Sequence, residues 1–427
     1  MNILEAKTSD GRIIGTLGFD DFSDAWSFVY HDAWKSGGFQ LSPAIPFDSS
    51  AKSTTVKRFI ENLLPEGAGL DALSQSSQIS KSNVFALIRK VGHESAGAIM
   101  FVPEGFEWTH SPKPLRPIEQ DELLDRVRSR DDIPFSIWDG KVRLSIAGMQ
   151  DKIAVFVKNK KMFLADFPMA STHILKPLPV NQKLASLVAN EHFCMSFARA
   201  VGLSVAKTEI MRIPDPVLQI ERFDRVFRQN PDRVDRLHIV DACQLLDLPS
   251  AYKYEQNFGN GRDVAHIRDG VSLEKIFSRR NLSEVPFLFV RQMLMWSIFQ
   301  YLIGNTDAHG KNLSFFIRPG GKIALAPAYD MVSTVIYEGL EDGMAMSIGG
   351  EFILPHIGAR HWECFAEECG IPLPMLSTEM RRMADAATKH INLKVDGLTE
   401  IEACAIEQIR KHIACRIETL RIDADGA

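Results

Sequence analysis

Gly304-Asn305-Thr306-Asp307-Ala308-His309-Gly310-Lys311-Asn312 is the stretch from which the rest of the chain can be read. Asp307 and Asn312 have the D-x-x-x-x-N spacing of a protein-kinase catalytic loop. In such a loop the aspartate accepts a hydroxyl proton while the asparagine oxygen holds Mg²⁺. Spacing alone is weak, because a polar surface turn with its own Asx hydrogen bonds has the same composition. Context raises it. An apolar helix containing Trp296, Ile298 and Phe299 leads into the loop. Leu313-Ser314-Phe315-Phe316-Ile317, Pro319-Gly320-Gly321 and Lys322-Ile323-Ala324-Leu325 follow it as a hairpin signal. Asp330, in Ala328-Tyr329-Asp330-Met331, closes that hairpin. Loop, hairpin, aspartate is the order in which a kinase brings up its second metal ligand.

Upstream, the chain offers complementary parts. Residues 141–146, 152–157 and 161–167, Thr172-His173-Ile174-Leu175-Lys176 and Val217-Leu218-Gln219-Ile220 read as short strands. Between the first two lies Ala147-Gly148-Met149-Gln150-Asp151, which with Lys152 could cover phosphates through backbone N–H groups. It is not a Walker A motif, and an ordinary hairpin loop reads equally well. Lys176 ends an apolar strand, where an ammonium needs an anion. A helix over 182–200 supplies one: Leu184, Leu187, Val188, Cys194, Met195 and Ala198 trace an apolar face, and Glu191 falls on it. A Lys176–Glu191 ion pair resolves both anomalies; the alternative is a snorkelling lysine and a glutamate at the rim. Glu221-Arg222-Phe223 follows a strand where a lobe-connecting hinge would lie. His309 has no second histidine at ligand spacing and reads as a residue that shapes the loop.

The 427 residues are 45% hydrophobic and 24% charged, a soluble globular composition long enough for two or three domains. Lys+Arg 49 against Asp+Glu 54 leaves a net charge of -5, which excludes a whole-chain polycation. The six cysteines form no C-x-x-C pair, so a zinc ribbon and a disulfide scaffold are poor readings. The start has no uninterrupted apolar segment, and residues 287–304 are broken by Arg291 and Gln292, so a cytoplasmic protein without a membrane segment is expected. In the first hundred residues, Ile13-Ile14-Gly15-Thr16-Leu17-Gly18-Phe19 and Trp26-Ser27-Phe28-Val29-Tyr30 have strand composition. Val56, Phe59, Ile60, Leu63 and Leu64 recur at helical spacing. Prolines 103, 112, 114 and 117 mark a linker. After about residue 237 the hairpin is the one expected exception to helix.

These motifs, together with Phe59-Ile60-Glu61-Asn62-Leu63-Leu64-Pro65-Glu66-Gly67, Asn190-Glu191 and Glu221-Arg222-Phe223-Asp224-Arg225, make the chain resemble the HipA-type serine/threonine protein kinases over nearly its full length. These are the toxin half of bacterial toxin–antitoxin pairs. Asp307-Ala308-His309-x-x-Asn312 is also similar to the loop of phosphoinositide-3-kinase-like enzymes. The resemblance implies that Asp307 is the catalytic base, Asn312 and Asp330 the Mg²⁺ ligands, and Lys176 the contact to the ATP α/β-phosphates. It makes Ala147, Gly148, Met149, Gln150, Asp151 and Lys152 the nucleotide loop. Glu221, Arg222 and Phe223 would meet the adenine, mainly through backbone atoms. His309, Lys311 and Tyr329 would complete the nucleotide site. Ser145 matches the serine that family members phosphorylate on themselves, which expels the loop. Met149 and Asp151 stand where some relatives have other residues, and both are expected to act through backbone.

The implied fold is α+β and two-lobed, protein-kinase-like (phosphoinositide-3-kinase-like), with an N-terminal β-rich module and a mostly helical C-terminal lobe. Residues 1–105 are expected to be the module, 106–225 the kinase N-lobe and 226–427 the C-lobe. The implied partners are a small DNA-binding, HipB-like antitoxin, operator DNA reached mainly through it, and a protein substrate, with aminoacyl-tRNA synthetases among the family's targets. The catalytic loop does not specify its acceptor, so a small-molecule kinase is one alternative. A catalytically silent corepressor acting with its antitoxin is the other.

Overall fold

The computed structural model describes residues 2–106, 114–143, 150–229, 232–340 and 343–426. The chain divides into two units, one of Met1–Val180, Met211–Val240 and Phe316–Lys322, the other of Asn181–Ile210, Asp241–Phe315 and Ile323–Ala427.

In the first unit, the strands Ala25–Tyr30, Ile13–Asp20, Asn2–Lys7 and Met100–Pro103 are neighbours, in that order, in an antiparallel sheet. Trp26, Phe28 and Tyr30 point inward and alternate with Ala25, Ser27 and Val29, the two-residue period of a sheet with one face covered. The helix Val84–Val91 supplies cover, with Phe85 ringed by Phe19 and Trp26. A second, six-stranded sheet runs Thr208–Ile213, Asp215–Glu221, His173–Pro177, Ile153–Lys158, Lys161–Ala165, Leu115–Pro117. Its inner face, at Ile153, Val155, Leu164, Leu175 and Val217, packs on Leu123 and Val127 of the helix Gln120–Arg128 and on Phe135 and Trp138.

A buried ionic cluster fastens residues 95–97 to residues 222–225. Asp224 accepts from Arg222 (2.9 and 2.8 Å), from Arg225 (2.6 Å) and from the Gly97 N–H (3.0 Å). Arg225 also donates to the carbonyls of Ser95 and Gly97, and Arg222 to Ser171 Oγ. Burial alone would raise the Asp224 carboxyl, but two guanidinium groups outweigh it and hold the group well below the usual carboxylate range.

In the second unit, the helix Pro286–Ile303 is apolar on nearly every side because it is buried on nearly every side. It packs against Leu373–His390 and Glu400–Gly426, and the latter also meets Leu187–Ala200. Among the described residues no helix is long and apolar enough to cross a membrane.

The structure corrects the sequence reading at several elements. The helix expected over 182–200 begins at Leu187, and Leu184 lies in a 3-10 turn, Gln182–Leu184, started by the Asn181 side chain. The strand expected over 161–167 stops at Ala165. Of the strand expected over 141–146, Lys141–Val142 is present, and 144–149 lie outside the described residues. After residue 237 the expected hairpin forms, as Ser314–Ile317 and Ile323–Leu325, but a short strand, Ile239–Asp241, and a second strand pair, Gly343–Ile348 with Glu351–Ile353, are present as well. Met344, Ala345 and Met346 carry helix propensity, and burial in a pleated pair overrides it. Gly349-Gly350, both at positive φ, was the available turn signal.

Candidate active site

The helix Pro286–Ile303 ends on Gly304, whose left-handed φ of 66° makes the αL cap that glycine permits. A Cβ there would also come within 2.7 Å of Val335 and His412. Beyond this cap, Asn305 organises the turn: its side chain donates to Gln300 Oε1 (2.8 Å) and accepts from the Asp307 N–H (3.1 Å). The Asp307 carbonyl then accepts from the His309 N–H (2.8 Å) and from Asn312 Nδ2 (2.9 Å). The Asp–Asn spacing is therefore a real local geometry, with the asparagine amide oriented by the aspartate's own backbone. Tyr254 donates its hydroxyl to Asp307 Oδ1 (2.5 Å).

Lys311 is buried, and its ammonium lies 2.6 Å from Asp241 Oδ2. The other Asp241 oxygen caps the helix Ala242–Leu246, accepting from Gln244 N while Gln244 answers the Asp241 N–H. One carboxylate thus serves a helix start and a loop cation. The Tyr329 hydroxyl donates to the Lys311 carbonyl (2.7 Å) and lies 2.8 Å from Ser314 Oγ, latching the loop. His309 is buried, and burial first, then the Lys253 cation, pushes its pKa down to about 3, against the opposing charge of Asp330. The imidazole is neutral at physiological pH. The His309 N–H bond to the Asp307 carbonyl helps to shape the loop, while the ring Nδ1 has no hydrogen-bond partner among the described residues.

Asp330 has φ 57°, the left-handed region that aspartate tolerates better than most residues. The chain is pinned on both sides of it. Ala328 exchanges backbone bonds with Ser204 (2.8 Å) and Ala206 (2.9 Å). Asn190 makes a matched pair of 2.9 Å bonds to the Ser333 peptide. Thr334 then bonds the Thr306 N–H (2.7 Å) and the Gly304 carbonyl (3.0 Å), joining this segment to the loop of Asp307 and Asn312.

The remaining candidates belong to the first unit, apart from Glu191. Lys176 is buried near the end of the strand His173–Pro177, opposite Leu218. Glu191 is buried on its helix. Ser145, Ala147, Gly148 and Met149 lie outside the described residues. Gln150 donates to the Pro177 carbonyl, and Lys152 is buried. Asp151 departs from the expectation of a backbone role, because its carboxylate accepts from the N–H groups of Phe135 and Ser136. Arg222 commits its side chain to Asp224 and Ser171 and its N–H to the Thr172 carbonyl. Glu221 is exposed and Phe223 half-buried, with its ring edge-on to Phe316.

Residues 144–392 match the HipA-like C-terminal domain, and residues 8–102 match the HipA N-terminal domain. The chain belongs to the HipA family. It is 40% identical over 410 residues to the serine/threonine-protein kinase toxin HipA of Shewanella oneidensis, covering 95% of this chain and 93% of that one. A putative kinase of Sinorhizobium fredii, Y4mE, is 32% identical and covers 97% of both chains. The solved complex of Shewanella HipA with HipB and its operator DNA contains a chain that superposes with TM-score 0.86 at 39% identity, over 97% of this chain and 96% of that one. This HipA-family chain is a serine/threonine protein kinase toxin with a protein-kinase-like α+β fold. Sequence reasoning missed four residues that bond the loop or the segment after Asp330: Tyr254, Asp241, Asn190 and Thr334. Asp241-Ala242-Cys243-Gln244 carries a capping-box pattern that could have been read. Asn190 was quoted for the HipA likeness without a role, and nothing local marks Tyr254 or Thr334.

Proposed function

We propose that this kinase transfers the terminal phosphate of ATP to a Ser or Thr hydroxyl of a protein and to its own Ser145. The observation that carries the reading is the loop itself, in which one turn holds Asp307 and Asn312 and a threonine bridge ties that turn to the segment after Asp330. The acceptor oxygen forms a bond to the γ-phosphorus, the bond to the β-phosphate bridging oxygen breaks, ADP leaves, and the hydroxyl proton passes to Asp307. Asn312 and Asp330 would hold Mg²⁺. An amide oxygen and a carboxylate are the hard donors this ion takes, and the Asn312 Nδ2 bond to the Asp307 carbonyl leaves its Oδ1 as the ligand atom. When bound, the ion neutralises phosphate charge.

In this reading Lys176 meets the α/β-phosphates and pairs with Glu191. Residues 147–152 cover the nucleotide, Glu221, Arg222 and Phe223 present backbone to the adenine, and His309, Lys311 and Tyr329 complete the nucleotide site, Lys311 and Tyr329 also holding the loop. Residues 1–105 act as the N-terminal module, 106–225 as the N-lobe and 226–427 as the C-lobe. The partner is a small DNA-binding antitoxin of the HipB kind, which recruits the kinase to operator DNA. The relative's complex with HipB and operator DNA supports this, as does a net charge of -5, which gives the chain little affinity for DNA of its own. The working compartment is the cytoplasm, and an aminoacyl-tRNA synthetase is the substrate class proposed. A phosphoserine at 145 would add a dianion beside the triphosphate and silence the enzyme.

The test is incubation of the purified chain with labelled ATP and cell lysate. Wild type should label itself at Ser145 and one abundant lysate protein, and Asp307→Asn should lose both. Self-labelling by Asp307→Asn at the wild-type rate would remove Asp307 from the chemistry.

A further inference from the structure

We infer that Tyr254 is a positioning residue for phosphoryl transfer: its hydroxyl holds Asp307 Oδ1 so that the carboxylate meets the acceptor hydroxyl in one fixed orientation. The inference rests on the reading of Asp307 as the base.

The bond is short, 2.5 Å from the tyrosine oxygen to Oδ1, the length of an O–H donor on a charged acceptor. A carboxylate has about four lone-pair sites on two oxygens, so one tyrosine bond is compatible with a second bond from a serine or threonine. The tyrosine is aimed by its neighbours. On one side, the Lys253 carbonyl accepts from the Gly310 N–H of the catalytic loop (2.9 Å). On the other, the buried Glu255 accepts from Arg268 Nε (2.7 Å) and from the Ser347 N–H (2.7 Å). Gly270 passes directly beneath, so that a Cβ there would lie 1.8 Å from the Tyr254 carbonyl oxygen. Lys275 in turn clamps the carbonyls of Asp269 (2.9 Å) and Gly270 (2.6 Å). The Tyr254 ring stands edge-on to the His309 ring, centroids 5.1 Å apart. Backbone, buried charge and ring packing thus converge on one phenol, and that phenol reaches the one carboxylate the reaction needs. Tyr254 remains partly exposed, so a role as core filler does not account for this scaffolding.

Tyr254→Phe keeps the ring contact and removes the donor. Turnover of a protein acceptor should fall roughly ten- to a hundred-fold, the effect of losing a charged hydrogen bond that sets geometry, while KM for ATP and the thermal midpoint stay at wild-type values. Wild-type turnover in Tyr254→Phe overturns the inference. Should that variant not fold, p-aminophenylalanine at 254 retains a donor and p-methylphenylalanine fills the same space without one. Turnover that follows the donor supports the role, and equal turnover of the two ends it. Asp307→Asn separates the two layers: if it is inactive while Tyr254→Phe is unimpaired, only the tyrosine role fails, and if it is active, the base assignment fails first.

Discussion

His238 and His309 are both imidazoles stripped of water, and both stay neutral for that reason. His238 stacks on Phe39 at 4.4 Å and has Nε2 2.8 Å from the Leu41 carbonyl, and burial pushes its pKa down to about 4. An unfolded histidine titrates near 6.5, so between those values the unfolded chain binds a proton that the folded chain refuses. Stability therefore falls as pH drops through this window, by up to about 1.4 kcal/mol per unit for one group. His238→Gln keeps an N–H for Leu41 and removes the titration. Its unfolding free energy in urea, measured from about pH 6 down to pH 4.5, should show a slope shallower than wild type by roughly 1 kcal/mol per unit. An identical slope would assign the acid sensitivity elsewhere. At this scale Asp307 and Asn312, the residues proposed for the chemistry, could be picked out because their spacing is local. Tyr254 could not, because its importance comes from a contact 53 positions along the chain.

The catalytic loop is an element with almost no regular secondary structure, held instead by side chains from outside it. Asp241 illustrates the cost of disturbing such a support. Asp241→Asn preserves a good helix cap but takes the countercharge from a buried ammonium, so a loss of about 3 kcal/mol is expected. Adding Lys311→Met should restore part of it, and chemical denaturation of the two variants checks the order. Gly310 is the other sensitive point, because a Cβ would lie 2.6 Å from a Val271 methyl. Gly310→Ala should lower both melting temperature and kinase activity, and Val271→Ala should recover much of each. A Gly310→Ala protein with unaltered melting would show that the loop can shift to make room. The hairpin of 314–325 was readable from its Pro-Gly-Gly turn, whereas Gly343–Ile348 was hidden by helix-favouring methionines.

For the whole molecule, a strand-rich stretch followed by a mostly helical one suggested two lobes, and the resemblance carried by the ordered motifs implied the α+β protein-kinase-like architecture. The fastening of residues 95–97 onto Asp224 was invisible, because it is made across 127 positions by ordinary-looking arginines. Asp224→Ala leaves two buried guanidinium groups without their shared anion, and a loss of at least about 3 kcal/mol, seen as a fallen melting temperature and poor soluble yield, is the expected result. Both units are also assembled from separated stretches of chain, with Leu373–His390 and Glu400–Gly426 packed on the helix that precedes the catalytic loop. During translation Asp307 leaves the ribosome before either of those helices exists, so an unfinished polypeptide carries the proposed base without the helices packed on the one that leads into its loop. A stop codon placed shortly before residue 373 should therefore yield an innocuous fragment on induction, and toxicity should require both helices.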